Sequence, residues 1–182
     1  MASTDFINTA LIIVDIQPIY VNQICSQEFI HNIEKTLCFM RKQLPPQKIV
    51  HVRAEYSATP MRPHCILTNP NFPTPGHADT SSTEWARELE GETVILKSTF
   101  DAFHQTTLEE SLKTEKVDNV LICGMLTSIC VHSTALGAVH RGFITKLIED
   151  ACLDRTIERH VGVMSLYKNY IYKTCTVDEL IV

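Results

Sequence analysis

Asn-Val-Leu-Ile-Cys-Gly-Met-Leu-Thr-Ser-Ile-Cys-Val-His-Ser-Thr-Ala-Leu-Gly-Ala-Val-His-Arg-Gly, residues 119 to 142, is the stretch that decides the fold. Val120 to Cys123 is an unbroken apolar run, as expected of a strand covered on both faces of a parallel sheet, and Gly124 breaks it. From Ser128 the period changes. Cys130, Val131, Thr134, Ala135, Ala138 and Val139 recur at three- and four-residue spacing, and Gly142 ends the helix. The pattern predicts a strand, a turn and a helix, with Cys130 in the first helical turn. A thiol there meets unpaired backbone N–H groups and the positive end of the helix dipole, which favour a thiolate and can hold an oxyanion. The same position also suits a small buried hydrophobe, the commonest role of an intracellular cysteine.

Working outward, the rest of the chain alternates in the same way. Ala10 to Ile16 reads as a buried strand interrupted by one acid, Asp15, with Gln17 and Pro18 ending it. Ligands in open parallel sheets bind beyond the carboxyl ends of strands, so Asp15 is either a functional carboxylate or a cap for the following loop. Ser26 to Leu44 predicts a helix with Ser26 as N-cap, and Pro45-Pro46 stops it. Strands are expected at Lys48 to Arg53 and Thr93 to Leu96, with Lys97 immediately after the latter. A helix follows near Thr107 to Glu115 with Leu108 and Leu112 inward. A fifth strand is predicted at Phe143 to Ile148, with Glu149-Asp150-Ala151 at its end. The helix at Thr156 to Leu166 places Ile157, Val161, Met164 and Ser165 inward. Tyr170 to Thr174 reads as a short last strand. Ala54 to Ser82 is irregular and rich in Pro, His, Thr and Asn, suited to a functional lid, a pocket wall or an oligomer contact.

Strand and helix in regular alternation predict one domain over residues 1 to 182: a three-layer α/β/α sandwich on a mainly parallel sheet. The 182 residues, 45% hydrophobic and 20% charged, suit such a core. A net charge of -5 without a basic stripe argues against nucleic acid or an anionic membrane as partner. No apolar run approaches a membrane span, no leader pattern opens the chain, and a cytoplasmic location is expected. Seven cysteines without CxxC pairs suggest neither a disulfide framework nor a zinc site. His51, His64 and His77 form no tight ligand spacing.

Asp15, Lys97 and Cys130 fall at the ends of the first, third and fourth predicted strands, where parallel strands bring their carboxyl ends to one edge. A thiol beside an ammonium and a carboxylate is a workable nucleophile: the cation stabilises the thiolate and the acid relays its proton.

These residues stand in Ala-Leu-Ile-Ile-Val-Asp-Ile-Gln (10 to 17), Lys-Ser-Thr-Phe-Asp-Ala-Phe (97 to 103), Gly-Met-Leu-Thr-Ser-Ile-Cys-Val (124 to 131) and Glu-Asp-Ala-Cys-Leu-Asp-Arg (149 to 155). Together with Thr134-Ala-Leu and Arg141-Gly-Phe, they make the chain resemble the isochorismatase-like cysteine hydrolases over nearly its whole length. The resemblance implies a six-stranded sheet of order 3-2-1-4-5-6. It assigns Asp15 as general base and acid, Lys97 as electrostatic stabiliser and Cys130 as nucleophile. It also implies a cis peptide between Met125 and Leu126 that aims the amides of Leu126 and Cys130 at a substrate oxygen. Gln17, Phe100, Phe103 and Thr127 are the expected substrate-binding residues, although phenylalanines at such positions are more often core. The nicotinamidase branch of that family carries an Asp-x-His metal motif after the second strand. Here the place reads His51-Val-Arg-Ala-Glu-Tyr, so neither a metal nor another cofactor is expected. The cysteine favours cleavage of a small amide through a thioester. Vinyl-ether hydrolysis of the isochorismatase type, or a silent dimerisation or binding module, are the alternatives. A homodimer or homotetramer is the assembly the resemblance implies.

Overall fold

The computed structural model describes residues 6–56, 75, 76 and 79–182. Most of the proline-rich stretch, with His64 and His77, lies outside those residues. Six strands form one sheet: β1 (Thr9–Val14), β2 (Ile49–Ala54), β3 (Thr93–Lys97), β4 (Asn119–Met125), β5 (Ile144–Leu153) and β6 (Lys173–Cys175). Every pairing is parallel and the order is β3-β2-β1-β4-β5-β6, as the resemblance implies. Helices α1 (Pro18–Ile24), α2 (Gln27–Gln43), α3 (Leu108–Thr114), α4 (His132–His140), α5 (Ile157–Tyr167) and α6 (Val177–Ile181) flank the sheet and complete the three layers.

β1 is buried along its whole length because it runs between β2 and β4 with helices over both faces. Strand order reverses between β1 and β4, and parallel sheets open a crevice at such a point, beyond the strands' carboxyl ends. Asp15 follows β1 and Cys130 follows β4, so the topology delivers both to that crevice.

Local chemistry explains the boundaries. Ser26 caps α2 by accepting from the Phe29 N–H at 3.2 Å, and Phe29, Ile33, Leu37 and Met40 bury its inner face. Thr176 and Glu179 form a reciprocal capping box at α6. Gly142 ends α4 with φ of 84°, in the left-handed region where a glycine carries no Cβ penalty.

Three sequence expectations need correction. Pro18 does not merely stop β1: it is the first residue of α1, where its missing N–H costs nothing and its fixed φ starts the helix. β5 continues through Glu149 and Asp150 to Leu153, helped by a register shift against β4 between Ile122 and Gly124. On α5 only Met164 is buried; Ile157 and Val161 are 67% and 53% exposed.

Candidate active site

β1 and β3 end, and β4 turns into α4, around one buried cluster. Lys97, the last residue of β3, is 1% exposed, and its Nζ lies 2.8 Å from Asp15 Oδ2 and 3.3 Å from Cys130 Sγ. It also donates to Thr99 O at 3.2 Å. The structure therefore brings together the three reactive groups that sequence places far apart. Asp15 has φ of 56°, and its backbone N–H donates to Val52 O on β2 at 2.9 Å. Its Oδ1 is buried without a hydrogen-bond partner among the described residues.

The peptide between Met125 and Leu126 is cis. The chain then winds through a π-helical turn, Thr127–Val131, before α4. Ile129 and Val131 both donate their N–H groups to Leu126 O at 3.1 Å, and Asp154 Oδ2 accepts from Ser128 N–H at 2.6 Å. Cys130 thus sits on a turn fixed from both sides, one step earlier than the regular helix.

The electrostatics correct one expectation. Burial pushes the Cys130 thiol up, the Asp15 carboxylate pushes it further, and Lys97 only partly offsets them. Cys130 therefore rests as a thiol beside a base, rather than as a thiolate titrating below a free cysteine. Burial opposes the charge on Lys97, but Asp15 and Cys130 outweigh it and raise its pKa, so the ammonium persists.

A pocket opens over Cys130, lined by Asp15, Tyr20, Gln23, Ile24, Tyr56, Met125, Leu126, Ile129 and Arg155. It is narrow, about 30 Å³. A larger hollow of about 520 Å³ lies at the opposite edge, beside Thr9, Asn119 and Ile144 at the strand starts, and contains none of the three reactive groups.

None of the four expected substrate-binding residues lines the pocket over Cys130. Gln17 is fully buried and acts as a clamp: its Oε1 accepts from Ala54 N–H at 2.7 Å, and its Nε2 donates to Ala54 O at 3.0 Å and Asp79 O at 2.8 Å. Phe103 belongs to the core, stacked on Phe143 under the Arg141 guanidinium. Thr127 is buried with its hydroxyl 2.9 Å from His160 Nδ1. Phe100, like Tyr20, packs against the cluster of Ala54 and Tyr56. Tyr20, Tyr56 and Arg155 are among the wall residues that sequence reasoning missed, together with Gln23, Ile24 and Ile129. Arg155 and Tyr56 each stood at the end of a quoted run, 149 to 155 and 51 to 56, but neither run marked them as pocket residues.

His51, on β2, faces Glu92, with Nε2 2.8 Å from Oε2. Glu92 also accepts two hydrogen bonds from Arg41, at 2.7 and 2.9 Å. Burial alone would raise the Glu92 carboxyl; Arg41, His51 and the Leu89 N–H outweigh it and hold it at about 2. A depressed carboxyl stabilises the fold above its unfolded value of 4.5, and that stabilisation is lost as pH falls through about 2. Glu92→Gln should accordingly lower the melting temperature at pH 7 by several degrees, and the gap from wild type should close between pH 4.5 and 2. A gap that stays constant across that range would exclude the linkage.

Comparison with known proteins agrees with this fold. The family model described as "Isochorismatase domain" matches residues 9–179. YwoC of Bacillus subtilis, an isochorismatase family protein, is 27% identical over 183 residues, covering 97% of this chain and 94% of its own length. Maleamate amidohydrolase of Pseudomonas putida is 34% identical over 70 residues, 38% of this chain and 33% of that protein. Two other curated relatives likewise match over less than half of their own length. The solved structure of N-carbamoylsarcosine amidase from Thermoplasma acidophilum superimposes with a TM-score of 0.77 at 22% identity, covering 94% of this chain and 97% of that one. With the family model spanning nearly the whole chain, the protein belongs to the isochorismatase family.

Proposed function

We propose that the protein hydrolyses the carbon–nitrogen bond of a small amide through a thioester on Cys130. The observation that carries this reading is Lys97 Nζ lying between Asp15 Oδ2 and Cys130 Sγ, at 2.8 and 3.3 Å. In this reading Asp15 takes the Sγ proton as the sulfur attacks the amide carbon, and Lys97 compensates the charge that would otherwise gather on sulfur and carboxylate. The amides of Leu126 and Cys130 receive the oxyanion. Asp15 then gives its proton to the departing nitrogen, and the carbon–nitrogen bond breaks to leave the thioester. Water attacks next, losing a proton to Asp15. The carbon–sulfur bond breaks, the proton returns to sulfur, and an acid and an amine have been formed.

The pocket supports a substrate class. Arg155 is exposed at its wall, with no carboxylate partner among the described residues, and Asp154 fixes its backbone by accepting from its N–H at 2.8 Å. A guanidinium there suits a substrate that carries a carboxylate as well as an amide. Maleamate, named in a relative's activity, combines those two groups. The test is intact mass after brief incubation with small carboxylate-bearing amides: a trapped acyl adduct on Cys130 is expected, and its absence with every amide that turns over would exclude the thioester. Arg155→Gln should raise KM for such a substrate roughly tenfold with kcat little changed. Equal effects on an amide without a carboxylate would remove Arg155 from recognition.

A further inference from the structure

Two phenols line the pocket and have no part in the scheme above. Tyr56 lies two residues beyond β2 and is 1% exposed, an unusual degree of burial for a hydroxyl. Its backbone is held tightly. Tyr56 N–H donates to Pro75 O at 2.9 Å, the preceding Glu55 N–H donates to Lys97 O at 2.9 Å, and Ala54 is gripped on both its amide and its carbonyl by Gln17. The segment is thereby fastened to the residue after Asp15's neighbour and to Lys97 itself. Its ring packs with Tyr20 of α1, and both phenols share the wall of the narrow pocket with Cys130.

We propose that Tyr56 is a further catalytic residue, donating its phenolic hydrogen to the Cys130 sulfur as the second donor beside Lys97, with Tyr20 donating to Tyr56 in turn. This rests on the thioester reading, because a donor to sulfur matters only where the sulfur gathers charge. The direction of the bonds follows from what each group can offer. Asp15 accepts the thiol proton, Lys97 and Tyr56 have protons to give, and the thiolate accepts both. Burial raises both phenols above their ordinary range, so each keeps its hydrogen to donate. A neutral donor also has an advantage over a second cation here. It stabilises the thiolate without repelling Lys97 or pairing with Asp15, and it relaxes its hold once the sulfur becomes a neutral thioester. Among the described residues, the ionisable groups at the pocket are Asp15, Tyr20, Tyr56, Cys130 and Arg155, with Lys97 behind them.

The experiment measures the pH dependence of Cys130 alkylation by iodoacetamide, read by peptide mass, with exposed Cys38 as the reference thiol. It is done in the full chain carrying Asp15→Asn, where the competing carboxylate charge is gone and the thiolate is within reach of titration. Adding Tyr56→Phe removes one hydroxyl and keeps the ring. The midpoint of the Cys130 profile should then rise by about one pH unit or more, a loss of about tenfold in thiolate at a given pH, while the Cys38 profile stays put. Adding Tyr20→Phe instead should move the midpoint in the same direction by less. A looser pocket would change the alkylation rate at every pH without moving the midpoint. Midpoints that coincide with and without Tyr56→Phe, or that fall, would overturn the proposal. The amide turnover of otherwise wild-type protein tests the thioester reading separately, so either conclusion can fail alone: a Lys97-dependent Cys130 that ignores Tyr56 sinks only the phenol's role.

Discussion

Asp15→Asn is expected to speed alkylation of Cys130 at neutral pH while lowering amide turnover by about 10²- to 10⁴-fold. The two effects have opposite signs because the carboxylate does two things. Its charge raises the thiol's pKa, so replacing it with a neutral amide leaves Lys97 to favour the thiolate unopposed. Its oxygen is also, in the proposed scheme, the base that carries the proton from sulfur to the leaving nitrogen. In wild type, exposed Cys38 should therefore react ahead of buried Cys130, and in the variant that order should reverse. Lys97→Met should slow Cys130 alkylation in either background, since the cation is the contact that pulls the thiol down. Cys130→Ser should abolish amide turnover, because a hydroxyl is a weaker nucleophile at the same site. An Asp15→Asn protein that alkylates more slowly than wild type would contradict the electrostatics. A Cys130→Ser protein that keeps full activity would point to ether hydrolysis instead.

Gly124→Ala should be the most damaging single-methyl change in the sheet. Gly124 has φ of 118°, and a Cβ there would lie 2.1 Å from Val14 O and 2.7 Å from Val14 N. Those atoms belong to the backbone of the central strand and cannot turn aside. The substitution should cost about 3 kcal/mol or more from overlap and backbone conformation together. For a chain of this size that corresponds to roughly 6 to 12 °C in melting temperature. It should also remove activity in whatever folded protein remains, because β1 and β4 carry Asp15 and the Cys130 turn. Gly142→Ala is the control: φ is 84° but nothing lies within 4 Å of the added methyl, so only the conformational cost of about 1 to 2 kcal/mol remains. Equal melting temperatures for the two variants would show that the Val14 contact is not limiting.

The reactive groups were legible in the sequence because their positions follow from strand ends, and strand ends follow from apolar runs. Val120 to Cys123 and Ala10 to Val14 announce central strands by composition alone, and topology then brings Asp15, Lys97 and Cys130 to one edge. The pocket wall was not legible for the opposite reason. Tyr20 arrives on α1, a helix hidden because Pro18 reads equally well as a stop or as a first residue. Tyr56 arrives through a clamp whose agent, Gln17, is thirty-seven positions distant from Ala54. Periodicity locates what a residue's own neighbours decide, and these placements depend on contacts between segments. The inward face of α5 failed similarly: spacing picks out Ile157 and Val161 as a pair but does not say whether anything covers them. The fate of Cys130's proton was also beyond sequence, since it depends on burial and on the distance to Asp15, not on the helix start alone.

The left-handed backbone at Asp15 limits which residues could take over the base role proposed for it. Among side chains with a carboxyl, aspartate adopts that conformation comparatively readily, as asparagine does, whereas longer and branched residues pay for it. Glutamate would meet that cost and would also carry its carboxylate one methylene farther into a space already filled by Lys97 and Cys130. The usual route by which carboxylate enzymes drift between aspartate and glutamate is therefore closed at this position. Natural variants of this chain that abandon the chemistry should pass through asparagine or glycine at residue 15, and their folds should survive the passage.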